Sequence, residues 1–247
     1  DAPAGKYGRV IAAENGTLTF EKAPEKRLRL YGANLCFSAS FLDRETVDRL
    51  AEQFVRSGYN TVRIHHHDTE LLVPGAKDTL TFDPEKLDKL DYLFYRMKES
   101  GLYITTDFYT NRTFKPGDRI PECTFYDQRQ MKMLLPVSRA AMENWKEFVR
   151  RWMTHRNPYT GMTWAEDPAF YCVNLVNEET LSANWDRSPE SVKLYQQAFR
   201  RYLAERGLDP ATPAVTSNPV FFRFLNELQE KVLSEQIEFV KSEVKVK

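Results

Sequence analysis

The feature that most constrains this chain is an order repeated four times: a short apolar run, a loop, an amphipathic helix, then the next run. That order calls for a parallel sheet with right-handed helical crossovers. Residues 33–37, 60–66, 102–108 and 169–176 supply the runs. The last is a near-continuous apolar stretch, which reads as a strand buried on both faces. Helices are expected where apolar residues recur at helical spacing. Val47, Leu50, Ala51, Phe54 and Val55 form one face behind the cap Asp43, and Gly58 ends it. Leu87, Leu90, Phe94 and Met97 follow Asp83-Pro84, a cap and proline in their favoured order. Ala141 to Trp152 form a third helix, Ser188-Pro189 opens a fourth, and Asn218-Pro219 starts a last long one with Phe222, Leu225, Leu228 and Val232 inward. Ahead of them, residues 9–13 and 17–21 flank Asn15-Gly16, a hairpin signal. The organisation expected is a β-hairpin lead-in over 1–26 and one α/β domain over 27–247.

Composition excludes several classes. The 35 basic and 35 acidic residues cancel, so nothing recommends nucleic acid or an anionic membrane as partner. No apolar run approaches the ~20 residues of a membrane span. Cys36, Cys123 and Cys172 have no metal-type spacing, and Cys36 and Cys172 are expected as small buried core residues. No Gly-x-Gly-x-x-Gly or phosphate loop follows a strand, and no cofactor is expected. The Asp-Ala-Pro-Ala-Gly start looks like a processed or trimmed end, and a secreted or periplasmic location is favoured over a cytoplasmic one.

The polar residues that end the runs carry the chemistry, because parallel α/β folds act at the carboxyl ends of their strands. The fourth run stops abruptly at Asn177-Glu178, an amide beside a carboxylic acid, suited to holding a hydroxyl and moving a proton. Arg63 lies at the end of the second run and Asp107 at the end of the third. His65, His66, His67 and Asp68 cluster just past Arg63. Neighbours on a strand point to opposite faces, so at most two of those histidines can share one ion. Hydroxyl hydrogen bonding by His65 and His67 is therefore preferred to a metal site. The irregular stretch 109–138 is long enough to be functional. Tyr109, Phe125, Tyr126, Trp164 and above all Trp185 are candidates to stack on flat ligands.

Three segments together resemble the (β/α)8-barrel glycoside hydrolases, most nearly the family 5 cellulase and mannanase group. They are Leu28-Arg29-Leu30-Tyr31-Gly32-Ala33-Asn34-Leu35, Gly58-Tyr59-Asn60-Thr61-Val62-Arg63-Ile64-His65 and Val176-Asn177-Glu178. The resemblance implies a retaining glycosidase acting on β-linked poly- or oligosaccharide. In it Glu178 is the general acid/base, Asn177 binds the sugar 2-hydroxyl, and Arg63 orients the nucleophilic carboxylate. His65, His67, Asp107 and Trp185 would contact substrate.

It also implies a nucleophilic glutamate at the end of a seventh strand, and only four βα units are visible here. Glu227 and Glu235 lie on the last helix at solvent-type positions and are rejected. The expectation is the amino-terminal half of a barrel, inactive alone and prone to self-associate through its open edges. Two other readings stand beside it. One is a non-catalytic carbohydrate-binding or scaffold barrel; the other is a metal-dependent hydrolase using the cluster from His65 to Asp68.

Overall fold

The structure, a computed structural model, describes residues 2–123 and 129–246. Three antiparallel strands come first: β1 (Val10–Ala12), β2 (Leu18–Phe20) and β3 (Ala23–Leu28). The Asn15-Gly16 turn joins β1 to β2, with Gly16 at φ 77°. The third strand had no turn signal of its own in the sequence. This small sheet lies under the amino ends of the main one. Phe20 meets Tyr103 at 5.8 Å between ring centroids, and the Gly5 amide donates to the Tyr103 hydroxyl.

The main sheet is parallel, in the order β4 (Gly32–Cys36), β5 (Thr61–His65), β6 (Tyr103–Asp107), β7 (Phe170–Asn174). Its register puts Asn34 beside Arg63, Arg63 beside Thr105, and Asp107 beside Asn174. Gly32 is required by close approach: a Cβ there would sit 2.1 Å from the Thr61 carbonyl oxygen.

Helices α1 (Arg44–Arg56), α2 (Pro84–Glu99) and α4 (Arg139–Thr154) lie in the crossovers. The first two begin at the expected caps Asp43 and Asp83, and α4 begins at Ser138, which the sequence had not marked; all three side chains accept hydrogen bonds from first-turn amides. Gly58 and Gly101, at φ 78° and 86°, close α1 and α2 in the left-handed conformation that glycine adopts without steric cost. Alternation along β5 sends Val62 and Ile64, fully buried, toward the helices and Thr61, Arg63 and His65 to the other face.

Two short helices interrupt the expected loops, α3 (Gln130–Leu134) and α5 (Leu181–Asn184). Helices α6 (Pro189–Glu205) and α7 (Pro219–Ser242) follow. They enclose a second apolar cluster around Trp185, Tyr195, Phe199, Phe221 and Phe224. Among the described residues no helix is long and apolar enough to cross a membrane.

Several expectations need correction. β7 is not buried on both faces: Tyr171 and Val173 are half-buried, and Cys172 and Asn174 are exposed. It is an edge strand of the described sheet, and its inward-facing side chains meet solvent. Cys172 is therefore exposed and Cys36 only half-buried, neither being a core residue. On α7 Leu225 and Val232 are buried as expected and Leu228 packs against the second cluster, but Phe222 is 44% exposed and its place is taken by Phe221 and Phe224.

Candidate active site

The carboxyl ends of β5, β6 and β7 bring five of the seven expected site residues to one rim, four of them hydrogen-bonded together. Asp107 is the hub, with its side chain fully buried. Arg63 grips it with two donors, Nε to Oδ2 at 3.1 Å and Nη2 to Oδ1 at 2.5 Å. His65 Nδ1 donates to Oδ2 at 2.7 Å, and Asn174 Nδ2 to Oδ1 at 2.9 Å. The His65 bond holds a proton on Nδ1 and fixes the plane of the ring. With four donors on two oxygens, Asp107 aligns the rim; its carboxylate does not face a ligand. The Asp107 carboxylate raises the Arg63 pKa by hydrogen bonding, and the guanidinium stays a fixed cation whose side chain is 35% exposed.

Asn177 joins through Arg63 Nη2, which donates to its Oδ1 at 3.1 Å. That fixes the amide orientation and leaves Nδ2 as a donor for a hydroxyl. The backbone N–H of Asn177 donates to the Tyr109 carbonyl at 2.9 Å, tying the turn after β7 to the loop after β6.

Glu178 follows in the left-handed region at φ 53°, which swings its side chain outward. The carboxylate is 80% exposed, and Lys132 Nζ of α3 stands 3.7 Å from Oε2. Its charge also acts on Arg63 and His66, so it belongs to the same rim. Lys132 is itself 5% exposed, and burial lowers its pKa. The sequence did not single out this lysine. Its only signal was its place inside the long stretch expected to be functional.

The remaining expected residues go elsewhere. His67 is fully buried, 4.5 Å from the Trp152 ring, with both ring nitrogens lacking a hydrogen-bond partner. Burial lowers its pKa to about 4, so it is a neutral core histidine and not a hydroxyl ligand. Trp185, 6% exposed, packs edge-on against Phe221 at 4.8 Å and is core rather than platform. Tyr109 and Trp164 are fully buried as well, Trp164 donating to Asp91 at 2.7 Å. Phe125 and Tyr126 lie outside the described residues.

The three histidines have different partners, although the His65 and His66 rings touch at 3.7 Å between centroids. His65 faces Asp107, His66 stacks on Phe37, and His67 faces Trp152. Among the described residues no three His, Cys, Asp or Glu side chains converge as metal ligands would. Glu227 and Glu235 are engaged in helix-surface pairs, with Arg206 and with Arg139 and Lys146 respectively.

Glu179, the next residue, turns inward among α3, α6 and α7. Both carboxylate oxygens are buried without a hydrogen-bond partner. Burial raises its pKa to about 7 against the lowering pull of Lys132.

Solved structures share this architecture. An endo-1,4-beta-mannanase from Rhizomucor miehei matches with a TM-score of 0.54 at 11% identity, covering 80% of this chain and 58% of that one. A glycoside hydrolase family 5 mannosidase from the same organism, in complex with mannosyl-fructose, matches at 0.54 and 15% identity, covering 93% and 71%. The chain thus spans less than two thirds of the mannanase's length. No protein-family model matches the sequence, and no curated protein does. At these identities the likeness establishes the fold, an α/β arrangement of the family 5 (β/α)8 cellulase and mannanase type.

Proposed function

We propose that this chain carries the acid/base side of a retaining glycoside hydrolase that acts on β-linked poly- or oligosaccharide. The observation that carries the reading is the Asp107-centred network. It fixes an arginine, an imidazole and an amide at three adjacent strand ends, with a solvent-facing glutamate beside them. Glu178 protonates the departing glycosidic oxygen and later takes a proton from the attacking water. Asn177 Nδ2 donates to the 2-hydroxyl of the bound sugar, and His65 Nε2 hydrogen-bonds a second hydroxyl. Arg63, clamped by Asp107, presents its remaining donors to the nucleophilic carboxylate.

Such a carboxylate belongs ~5–5.5 Å from the acid in a retaining enzyme. We assign it to a further strand end of the intact protein, in keeping with four βα units here and with coverage of 58% of the mannanase. The described unit, isolated, would then be inactive and would associate through β4 and β7, whose outer edges are unpaired in the described sheet.

The test is Glu178→Gln in the intact enzyme. Turnover of natural glycan should fall by orders of magnitude, while glycosylation by substrates with activated leaving groups survives. Full activity on natural glycan would remove Glu178 from the role. Oligosaccharide binding with no turnover by the unmutated intact enzyme would favour the non-catalytic reading.

A further inference from the structure

The Glu178 side chain stands 80% exposed on a left-handed turn, and a long side chain so placed has little to fix its direction. Among the described residues one side chain makes polar contact with it: Lys132 of α3, whose Nζ is 3.7 Å from Oε2. Lys132 is the reverse case, its side chain only 6% exposed. Packing fixes the ammonium, and a fixed charge orients a mobile one. A buried ammonium is also costly unless a carboxylate compensates it. Two carboxylates act on this one, Glu178 and Glu179, with Arg129 opposing them. Burial decides between the two. Both Glu179 oxygens lie buried without a hydrogen-bond partner, surroundings that favour the neutral acid. Around Glu179, the Tyr195 hydroxyl of α6 donates to the Met133 carbonyl at 3.0 Å, and Gln229 of α7 donates to the Glu179 backbone carbonyl at 2.9 Å. The short helix α5 carries no titratable residue. Glu178, in water beside Arg63 and His66, is the carboxylate left to carry the negative charge.

We propose that Lys132 is a positioning residue for the acid/base, its buried ammonium holding Oε2 of Glu178 so that Oε1 is the oxygen that carries the catalytic proton. This rests on the glycosidase reading of Glu178. A cation beside Oε2 disfavours a proton there and fixes the plane of the carboxylate. As general acid, Glu178 gives the Oε1 proton to the departing glycosidic oxygen, and the carboxylate that results is already paired with Lys132. As base, it takes a proton from the attacking water back onto Oε1. Lys132 keeps its three protons throughout. Glu179, held neutral by its burial, does not compete for the ammonium. The opposing arrangement is a buried Lys132–Glu179 ion pair with Glu178 left unheld, and the two arrangements respond differently to substitution.

The measurement is the pH profile of kcat/KM in the intact enzyme, on natural glycan and on an aryl glycoside with an activated leaving group. Lys132→Met, close in size and uncharged, should lower kcat/KM on natural glycan about tenfold and move its alkaline limb up by about one pH unit. The activated substrate needs little protonation and should keep its kcat/KM, a selectivity that a role in packing alone would not produce. Lys132→Arg, which keeps the cation, should hold the limb at its wild-type position. Glu179→Gln should leave the limb in place, and it decides the matter even where Lys132→Met does not fold. A limb that moves down in Glu179→Gln would show an ammonium released from Glu179 and overturn the proposal. So would an unmoved limb in Lys132→Met, or equal losses on both substrates. The glycosidase reading is judged separately by Glu178→Gln. A fully active Glu178→Gln removes the acid/base role and this proposal with it, whereas an inactive Glu178→Gln beside an unmoved Lys132→Met limb removes only the positioning role.

Discussion

Replacing Glu179 with glutamine should make the protein more stable in alkali and leave it almost unchanged in acid. In the folded chain both carboxylate oxygens are buried and have no hydrogen-bond partner, and burial raises the pKa from 4.5 to about 7. A group whose folded pKa lies above its unfolded one adds stability that is complete below the unfolded value. That stability is lost as pH climbs through the folded value. The interval from 4.5 to about 7 corresponds to about 3 kcal/mol at ~1.4 kcal/mol per pH unit.

His67 does the reverse. Its pKa falls from 6.5 to about 4, so its contribution is complete above pH 6.5 and is lost as pH falls through 4. The two slopes oppose each other across the shared window, and the wild type should show a shallow dependence there. Urea unfolding at pH 4, 6 and 8 and constant ionic strength tests this. The stability gained by Glu179→Gln should grow from near zero at pH 4 to about 3 kcal/mol at pH 8. An offset that is the same at all three pH values would refute the reasoning, because it would mean that Glu179 ionises equally in the folded and unfolded chain.

Other predictions follow from single contacts. Arg63→Lys keeps the charge but loses the paired donors on Asp107 and the reach to Asn177. On the proposed glycosidase reading it should lower kcat/KM at least tenfold, a larger proportional loss than that of stability; parallel losses would mark a structural ion pair. Trp185→Ala should cost about 3–5 kcal/mol of stability by urea unfolding, since the ring is core against Phe221; loss of sugar affinity at full stability would contradict that placement. Asp91→Ala should cost about 3 kcal/mol or more, because it strips the partners of the buried Trp164 Nε1 and of His155 Nε2. A loss below ~1 kcal/mol would show that those groups find other partners.

Much of this architecture was legible before any coordinates. Asp43, Asp83-Pro84, Ser188-Pro189 and Asn218-Pro219 mark helix starts because capping is a local hydrogen bond, written within three or four residues. The Arg63, His65, Asp107 and Asn177 grouping was foreseen for a related reason. In a parallel sheet the residues ending successive strands must meet at one edge.

What failed to show was whatever depends on contacts distant in sequence. Trp185 and Phe37 are both aromatic residues, and nothing local says that one is buried and the other exposed. The packing of α6 and α7 around Trp185 decides the first. The left-handed turns just past β4 and β5, at Phe37 and His66, decide the second.

The sequence by itself determined the order of elements, their caps and the edge of the sheet where polar groups collect, because periodicity and capping act within one or two turns. The tertiary structure alone decided the states of the charged groups. Glu178 and Glu179 are adjacent and chemically identical, yet a left-handed turn sends one into solvent and the other into an apolar cluster. Desolvation is set by everything that closes around a side chain, and those neighbours arrive from α3, α6 and α7, up to 50 residues away along the chain.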